Sequence, residues 1–477
     1  MLRWSCVILA VVIVALSVVE YVRGWTPLEV FTGDLATPGG ETDVTVIRLG
    51  VAAWQVAEFP WDETIRRFEE DARARGRNVR IRMSILPGET LNSLLLFWGR
   101  FGHTGYDAIV AFADEEITPF IEYSAGSTDP AGRSLLVDVS DYLSADELDS
   151  FVPALTVGSS RVDPVTGKRH LYELPWMGEV LALNYNRKFF AERGVKVPTT
   201  WLGPGGVEDA CRKLKGLTFQ GHDVAPLSMN FAQRGFFAQN SYIPMLAAFK
   251  RGRGVADADG RMDVSSPEAV HVFETLKRWY DAGYISDQAF VDQAVREDLQ
   301  TQRSAMYAHW QSRGLWAVDK LGEDTIGIAP TPGAGERDPD TGKPVGSLVA
   351  TYGVIVPRCS PVREQAVRVC YEVFCTDRYG FQSAVAKGFM LHGEKKGGNK
   401  MPATKEIYRQ PDLPAGIRDL RASLETGYFY PDVVNWPQCS EILVVEFQKY
   451  VRGEYPTAED ALAVVRKRYA EEVYSGK

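Results

Sequence analysis

One segment, residues 174–201, constrains the fold of this chain more than any other. It reads LPWMGEVLALNYNRKFFAERGVKVPTTW. The apolar run LALNYN follows an aromatic-rich lead and the carboxylate of Glu179, and an amphipathic segment with a Gly-x-x-x-Pro turn comes after it. A buried strand that carries an acid and several rings at one end is typical of a ligand cleft. The segment therefore predicts a buried strand with binding residues at its mouth.

The length and charge of the chain restrict the class of protein. With 477 residues it is too long for one compact core, which favours two or three domains. Its composition, 45% hydrophobic and 24% charged, is that of an ordinary soluble protein. The net charge of −9 argues against nucleic acid as a partner, because phosphate binding needs a basic surface.

The first part of the chain after residue 43 alternates strand and helix patterns. A strand-like run from Val44 ends near Trp54, a charged amphipathic helix is predicted over 61–76, and the strand VRIRMSI follows. A second helix over about 89–101 and the strand YDAIVAF complete a βαβ series, which predicts an α/β fold with parallel strands.

Ligands of such sheets bind beyond the carboxyl ends of the strands. The first strand ends at Trp54, and the third ends at AFAD, which delivers Asp114 to the same edge with Glu115 and Glu116 beyond it. Asp114 is equally suited to cap the next helix, and one carboxylate can serve both purposes. We expect one of the two following acids to face solvent, since neighbouring helical residues point about 100° apart.

The N-terminus has the pattern of an export segment. An apolar run from Val7 to Val19 follows Arg3 and is broken by Glu20, a length typical of a signal-peptide core and short for a membrane span. No Ala-x-Ala site follows, so residues 1–24 are predicted to be a signal peptide or an uncleaved N-terminal anchor. Residues 25–43, rich in Thr, Gly and Pro, are predicted to be a linker. The rest of the chain is expected outside the cytoplasm.

Motifs for catalysis, cofactors and metals are missing from the sequence. It contains no nucleophile elbow, dinucleotide fingerprint, His-Glu-x-x-His or Cys-x-x-Cys, and its six histidines lack ligand spacing. We expect neither an enzyme nor a bound cofactor or metal. A glycosidase needs only two carboxylates, so Asp114 and Glu179 leave that alternative open.

The order of these features resembles the family 1 extracellular solute-binding proteins of ABC transporters, the sugar-binding group typified by maltose-binding protein. In that family a Pro-aromatic entry, an acid six residues before a Tyr-Asn pair and a Val-Pro-x-Thr-Trp close mark a crossing between lobes, as residues 174–201 do here. A strand with TYG (351–353), a turn with RCS (358–360) and two closing helices follow in the family's order, so the resemblance covers about residues 44–475.

This resemblance implies a two-lobed α/β periplasmic-binding-protein fold, class II-like, with mixed sheets and the ligand cleft between the lobes. We expect the chain to cross at 176–179, between about 330 and 348, and after about Cys375. Lobe 1 is then predicted to comprise residues 44–178 plus 349–376, and lobe 2 residues 179–348 plus 377–477.

The resemblance also implies which side chains bind the ligand. Carboxylates and amides suit sugar hydroxyls, and aromatic rings suit the apolar face of a sugar. Trp310 follows Ala305-Met306 as the family's stacking Trp does, and Gln233 stands near the place of an acid of maltose-binding protein, so maltose itself is not implied. The predicted ligand-binding residues are Trp54, Asp114, Trp176, Glu179, Gln233, Phe236, His309, Trp310, Tyr352 and Trp436. We expect Trp201, Trp279 and Trp316 in the core.

The function that follows from the resemblance is capture of a mono- or oligosaccharide by hinge closure and delivery to an ABC permease in the membrane, by a protein expected to be monomeric. The same fold with a polyamine, a phosphate ester, an iron complex or another solute is one alternative. A membrane-tethered sensor domain that binds a solute without transport is another.

Overall fold

The structure, a computed structural model, describes most of the chain after residue 43. The described residues are 44–86, 104–112, 120–121, 134–163, 166–232, 234–252, 255–257, 261–333, 346–429 and 436–474. The predicted export segment, the linker, the helix over 89–101, Asp114 with its two acidic neighbours, and Gln233 lie outside them.

The strands of the described residues are short except for one. They are β1 (Thr45–Ala52), β2 (Val79–Leu86), β3 (Ala108–Phe112), β4 (Ser160–Val162), β5 (Arg169–Leu171), β6 (Glu173–Asn186), β7 (Thr218–Phe219), β8 (His222–Asp223), β9 (Ala225–Ser228), β10 (Ser304–Trp310), β11 (Ile326–Pro330), β12 (Val349–Ile355), β13 (Phe389–Leu391), β14 (Glu394–Lys396) and β15 (Met401–Pro402).

Helices alternate with these strands along the described part of the chain. They are α1 (Ala53–Glu58), α2 (Trp61–Ala74), α3 (Ala145–Asp149), α4 (Pro153–Gly158), α5 (Arg187–Glu192), α6 (Val207–Leu214), α7 (Arg234–Phe237), α8 (Ile243–Phe249), α9 (Pro267–Asp281), α10 (Asp292–Glu297), α11 (Gln311–Leu321), α12 (Arg363–Cys370), α13 (Phe381–Lys387), α14 (Ala415–Asp419), α15 (Arg421–Glu425), α16 (Trp436–Val451) and α17 (Ala458–Arg468). Within the residues that the structure describes, no helix combines the length and apolar character needed to span a bilayer.

The predicted βαβ start of the fold is confirmed. β1 pairs in parallel with β2 from Thr45↔Val79 to Ala52↔Leu86, and in parallel with β3 on its other edge. Helix α2 connects β1 to β2, and it buries Trp61, Ile65 and Phe68 while its charged residues face solvent. The amphipathic pattern therefore covers one face of a parallel sheet, as its periodicity predicts.

The first half of residues 174–201 lies in β6, a 14-residue strand in which every residue is buried. Its first half pairs antiparallel with β12, and its second half pairs antiparallel with β10 and β11. The strand order is β2-β1-β3-β12-β6-β10-β9, so β6 joins the sheet of one lobe to the sheet of the other. The first predicted crossing, at 176–179, lies at the middle of this shared strand, and the mixed pairing agrees with the predicted mixed sheets.

The segment after residue 376 packs on lobe 1 before the chain reaches lobe 2. The ring of Phe381 in α13 lies 4.9 Å from Trp61 and 5.5 Å from Trp176, measured between centroids. β15 pairs with β6 at Met177 and Gly178, on the lobe 1 side of the crossing. On these contacts we propose that residues 381–402 belong to lobe 1, so that the third crossing, expected after about Cys375, follows residue 402.

Candidate functional site

Glu179 lies at the crossing and is the centre of the candidate site. It is 3% exposed. Its Oε1 accepts hydrogen bonds from Ser312 Oγ and, at 2.9 Å, from Lys400 Nζ. Its Oε2 accepts a hydrogen bond from the hydroxyl of Tyr352 at 3.1 Å. Since Tyr352 belongs to lobe 1 and Ser312 to α11 of lobe 2, one carboxylate connects both lobes at the strand they share.

Lys400 reaches Glu179 because a tight turn precedes it. Gly397, Gly398 and Asn399 all have positive φ, at 57°, 78° and 65°. Glycine adopts this left-handed conformation at little cost and asparagine tolerates it, which explains the local sequence GGNK. A Cβ on Gly397 would overlap the carbonyl oxygen of Glu58, so the turn also needs a residue without a side chain there.

Gln311, the first residue of α11, fixes the same turn to β6. Its Oε1 accepts a hydrogen bond from the backbone N–H of Val180 at 2.6 Å, and its Nε2 donates to the carbonyl oxygen of Asn399 at 3.2 Å. The side chain is fully buried. Both backbone groups are therefore satisfied by one amide, and the start of α11 is held beside Glu179 and Lys400.

The lobe 1 wall of the site comes from α1, directly after β1. Trp54 is 43% exposed, and its ring meets Tyr352 edge-on at 5.8 Å between centroids. Glu58 ends the same helix, and its Oε2 is buried and has no hydrogen-bond partner among the residues that the structure describes. Burial raises the pKa of Glu58, a shift that the charge of nearby Lys400 opposes. An exposed ring and an unsatisfied carboxyl group here are available to a ligand.

The lobe 2 wall is formed by the first turns of α11. The guanidinium of Arg313 stacks on the ring of Trp316 at 4.4 Å, and Lys400 Nζ lies 5.4 Å from the same ring. Burial lowers the pKa of Arg313, with a contribution from the charge of Arg296, while Glu179 and Glu58 act in the opposite direction. Charged groups of both signs therefore face the crossing. We call Trp54, Glu58, Glu179, Arg313, Trp316, Tyr352 and Lys400 the crossing site.

A second group of rings borders the crossing site in lobe 2. Phe236 lies 5.2 Å from His309 between centroids, and the guanidinium of Arg296 stacks on Phe236 at 4.5 Å. His309 is fully buried, and its Nε2 has no hydrogen-bond partner within the described part of the chain. Burial lowers the pKa of His309 well below its usual value, and the nearby charges of Arg313, Arg296 and Lys400 act in the same direction. The imidazole is therefore neutral at physiological pH.

The structure brings some of the predicted binding residues together and separates others. Trp54, Glu179 and Tyr352 meet at the crossing, with Phe236 and His309 next to it. Trp176 is 0% exposed inside an aromatic cluster with Phe59, Trp61 and Phe381, so its role as a ligand platform is corrected to core packing.

Two further tryptophans are corrected for the same reason. Trp310, 5% exposed, and Trp436, 3% exposed, belong to the main hydrophobic core. Trp201, Trp279 and Trp316 were all expected in the core. Trp201 and Trp279 are buried, but Trp316 is partly exposed, and the guanidinium of Arg313 stacks on its ring. Of the four tryptophans predicted to bind ligand, Trp54 is exposed and the other three are buried, so we propose Trp54 as the indole ring that meets a sugar.

Besides Trp316, which was expected in the core, three residues of the crossing site were missed by sequence reasoning. Glu58 stands four residues after Trp54 on α1, a spacing that does place both on one face of a helix. Arg313 follows Trp310 in α11 and gives no motif. Lys400 stands beyond the GGN run, whose two adjacent glycines were a detectable indication of a special turn.

Comparison with known proteins agrees with this geometry. A family model described as bacterial extracellular solute-binding protein matches residues 113–368, more than half of the chain. No curated protein matches the sequence significantly.

Solved structures with the same fold cover most of the chain. Maltose-bound MalE3 from T. maritima has a TM-score of 0.65 at 15% identity, with 89% of this chain and 99% of that chain covered. An ABC transporter solute-binding protein from Thermotoga lettingae TMO, bound with α-D-tagatose, has a TM-score of 0.66 at 18% identity, covering 90% and 99%. The sugar-binding protein MalE from Xanthomonas citri has a TM-score of 0.66 at 16% identity, covering 90% and 97%. At these identities the likeness shows the fold.

Proposed function

Because this chain belongs to the bacterial extracellular solute-binding proteins, we propose that it captures a saccharide at the crossing site and delivers it to an ABC importer. The observation that carries the proposal is the pairing of an exposed ring, Trp54, with hydrogen-bonding groups at the strand shared by both lobes. A ring for the apolar face of a sugar and charged groups for its hydroxyls are what such a ligand requires. Maltose and tagatose bound to proteins of this fold support the ligand class.

The proposed mechanism is hinge closure around the crossing. Glu179 connects Tyr352 of lobe 1 with Ser312 of lobe 2, and it is nearly enclosed by its protein partners. We therefore propose that Glu179 holds the walls of the site in position, while Trp54, Glu58 and Arg313 contact the ligand. A ligand that bridges both walls stabilises the closed form only by its tighter binding to that form. The closed form is then presented to the permease.

Binding without turnover fits the carboxyl groups at the crossing better than glycoside hydrolysis does. A glycosidase needs a protonated carboxylic acid that can donate to the leaving oxygen and a second carboxylate across the bond. Glu179 accepts hydrogen bonds from an ammonium and two hydroxyl groups, which occupy its oxygens. We propose that the protein is a binding protein and not an enzyme.

Family membership places the protein outside the cytoplasm. We further propose that residues 1–24 direct export, either as a signal peptide or as a retained anchor. We also propose that the protein is a monomer and that it delivers its ligand to a cognate ABC permease. An anchored sensor domain remains the alternative, and fractionation of cells that express the full chain separates a released from a retained protein.

The polyamine alternative loses support at the crossing. A polycation requires several unpaired carboxylates in the cleft, but Glu179 pairs with Lys400, and Arg313 adds a positive charge that has no ion-pair partner among the described residues. The positive charge of Arg313 would repel a polyamine and so offset part of the attraction between the polyamine and Glu58. A neutral or acidic sugar meets no such penalty.

The experiment that tests the proposal is a thermal-shift screen of the protein against mono- and oligosaccharides, with polyamines and phosphate esters in the same plate. A ligand that binds only the folded protein raises its melting temperature in proportion to the logarithm of concentration above Kd. We expect at least one saccharide to do so, and we expect Trp54→Ala to abolish that shift. Stabilisation by a polyamine alone would overturn the saccharide proposal.

A further inference from the structure

We infer that the captured saccharide carries an acidic group, and that Arg313 is the residue that recognises it. The inference rests on the proposed function and names the class of sugar: one with a carboxylate, such as a uronic acid, or with a phosphate, rather than a neutral sugar. In both cases the recognised chemistry is a group of anionic oxygens.

The first observation is that Arg313 has no partner for its charge. In the parts of the chain that the structure describes, its guanidinium donates no hydrogen bond and forms no ion pair, and its contact is the flat ring of Trp316 at 4.4 Å. Stacking leaves the in-plane N–H groups of a guanidinium free, and these N–H groups form the fork that matches a carboxylate or a phosphate. A partly buried guanidinium without an anion is costly, so a site that keeps one has a use for it.

The second observation is the balance of charge around Arg313. Lys400 is matched by Glu179 at 2.9 Å, and Arg296 is matched by Asp292 at 2.7 Å. Each of these cations has its own carboxylate, so neither carboxylate is available to Arg313. The guanidinium of Arg313 therefore adds an unmatched positive charge to the lobe 2 wall of the crossing site.

The remaining acid, Glu58, does not neutralise Arg313. It lies close enough to act on Arg313 through its charge, but it forms no ion pair with it among the described contacts. Glu58 comes from lobe 1 and Arg313 from lobe 2, so the two stand on opposite walls. A sugar acid satisfies both, since its hydroxyls donate to Glu58 while its anionic oxygens accept from Arg313. With a neutral sugar, the N–H groups of Arg313 could donate only to hydroxyl oxygens, and those hydrogen bonds are weaker than hydrogen bonds to an anionic group.

Titration calorimetry with matched saccharides tests the inference. The probes are galactose with galacturonate, glucose with glucuronate and with glucose 1-phosphate, and short neutral and uronate oligomers of the same linkage. We expect the acidic member of the recognised pair to bind roughly tenfold or more tightly, because hydrogen bonds to charged groups are worth that difference. Preference for the uronate identifies a carboxylate, and preference for glucose 1-phosphate identifies a phosphate.

Arg313→Gln removes the charge and keeps a polar side chain. We expect it to weaken binding of the acidic probe by roughly ten- to hundredfold and to leave the neutral probe nearly unchanged. Lys320→Gln is the matched control. Lys320 is exposed near the other end of the same helix, and its substitution removes one positive charge, as Arg313→Gln does. The melting temperature of each variant without ligand verifies that it is folded.

The outcomes separate the inference from the function on which it rests. Neutral saccharides that bind as tightly as acidic ones, or an Arg313→Gln variant that weakens both members equally, would overturn the acidic ligand and keep a saccharide-binding protein. Absence of binding by every saccharide, neutral or acidic, would overturn both.

Discussion

Lys400 Nζ lies 2.9 Å from Glu179 Oε1, and this buried ion pair joins two positions that are 221 residues apart in the chain. Both side chains are nearly inaccessible to solvent. The pair holds the GGN turn after β14 against the strand that connects the lobes. The stability of the crossing and the shape of the ligand site therefore depend on one charge pair.

Lys400→Met is expected to destabilise the protein by about 3–5 kcal/mol, because it leaves the carboxylate of Glu179 buried without its cation. Chemical unfolding measures this loss. The double variant Lys400→Met, Glu179→Gln is expected to recover part of it, since no unpaired charge then remains. Lys405→Met, which removes a surface pair with Asp149, is the control and should cost less than about 1 kcal/mol. Equal losses in the two lysine variants would contradict the assignment.

Trp54→Ala is expected to weaken saccharide binding by about 2 kcal/mol and to change folding stability by about 1 kcal/mol, the worth of its edge contact with Tyr352. Trp310→Ala is expected to show the reverse pattern, with a loss of about 3–5 kcal/mol of stability, because its ring is core. Calorimetric affinity and urea unfolding on both variants separate the two roles. Unchanged affinity in Trp54→Ala would remove it from the site.

Glu58 is expected to make stability depend on pH. Burial raises its pKa above the usual value near 4.5, so the folded protein holds the proton more tightly than the unfolded chain does. The resulting stabilisation is fully present below the unfolded pKa and is lost as pH rises through the raised folded pKa. Glu58→Gln should therefore be more stable than the wild type at neutral pH, with the difference vanishing under acid. Melting temperatures across pH, compared between the two proteins, check this, and parallel curves would disprove it.

Gly397→Ala is expected to cost more stability than Gly393→Ala, although both glycines have positive φ, at 57° and 83°. A Cβ at Gly393 meets no atom within 4 Å, so its cost is the backbone term of about 1–2 kcal/mol. A Cβ at Gly397 overlaps the carbonyl oxygen of Glu58, which forces the turn and Lys400 to move. Unfolding free energies and saccharide affinities of both variants test this. A loss confined to Gly393→Ala would mean that the turn is free to shift.

Local patterns predicted much of the fold and part of the site. The alternation in 44–86 and the helix over 61–76 are confirmed because each needs only its own residues to show which face is buried. Trp54 and Tyr352, each in a segment whose position in the fold the resemblance gave, meet edge-on at the crossing, and their role in binding stays a prediction. Trp176, Trp310 and Trp436 are buried and Trp316 is partly exposed, the reverse of what was expected, because rings in the core and in a cleft have the same local sequence pattern.

The sequence by itself determined an α/β fold and a buried strand at LALNYN (181–186), since an apolar run has no exposed side to place in water, and the structure extends this strand to 173–186. The order of motifs along the chain predicted a crossing between lobes at 176–179, and that crossing stays a prediction. Only the tertiary structure decided which charges meet there. Lys400 and Arg313 reach the crossing through contacts between distant segments, and the energy of a charge pair depends on distance and burial rather than on separation in sequence.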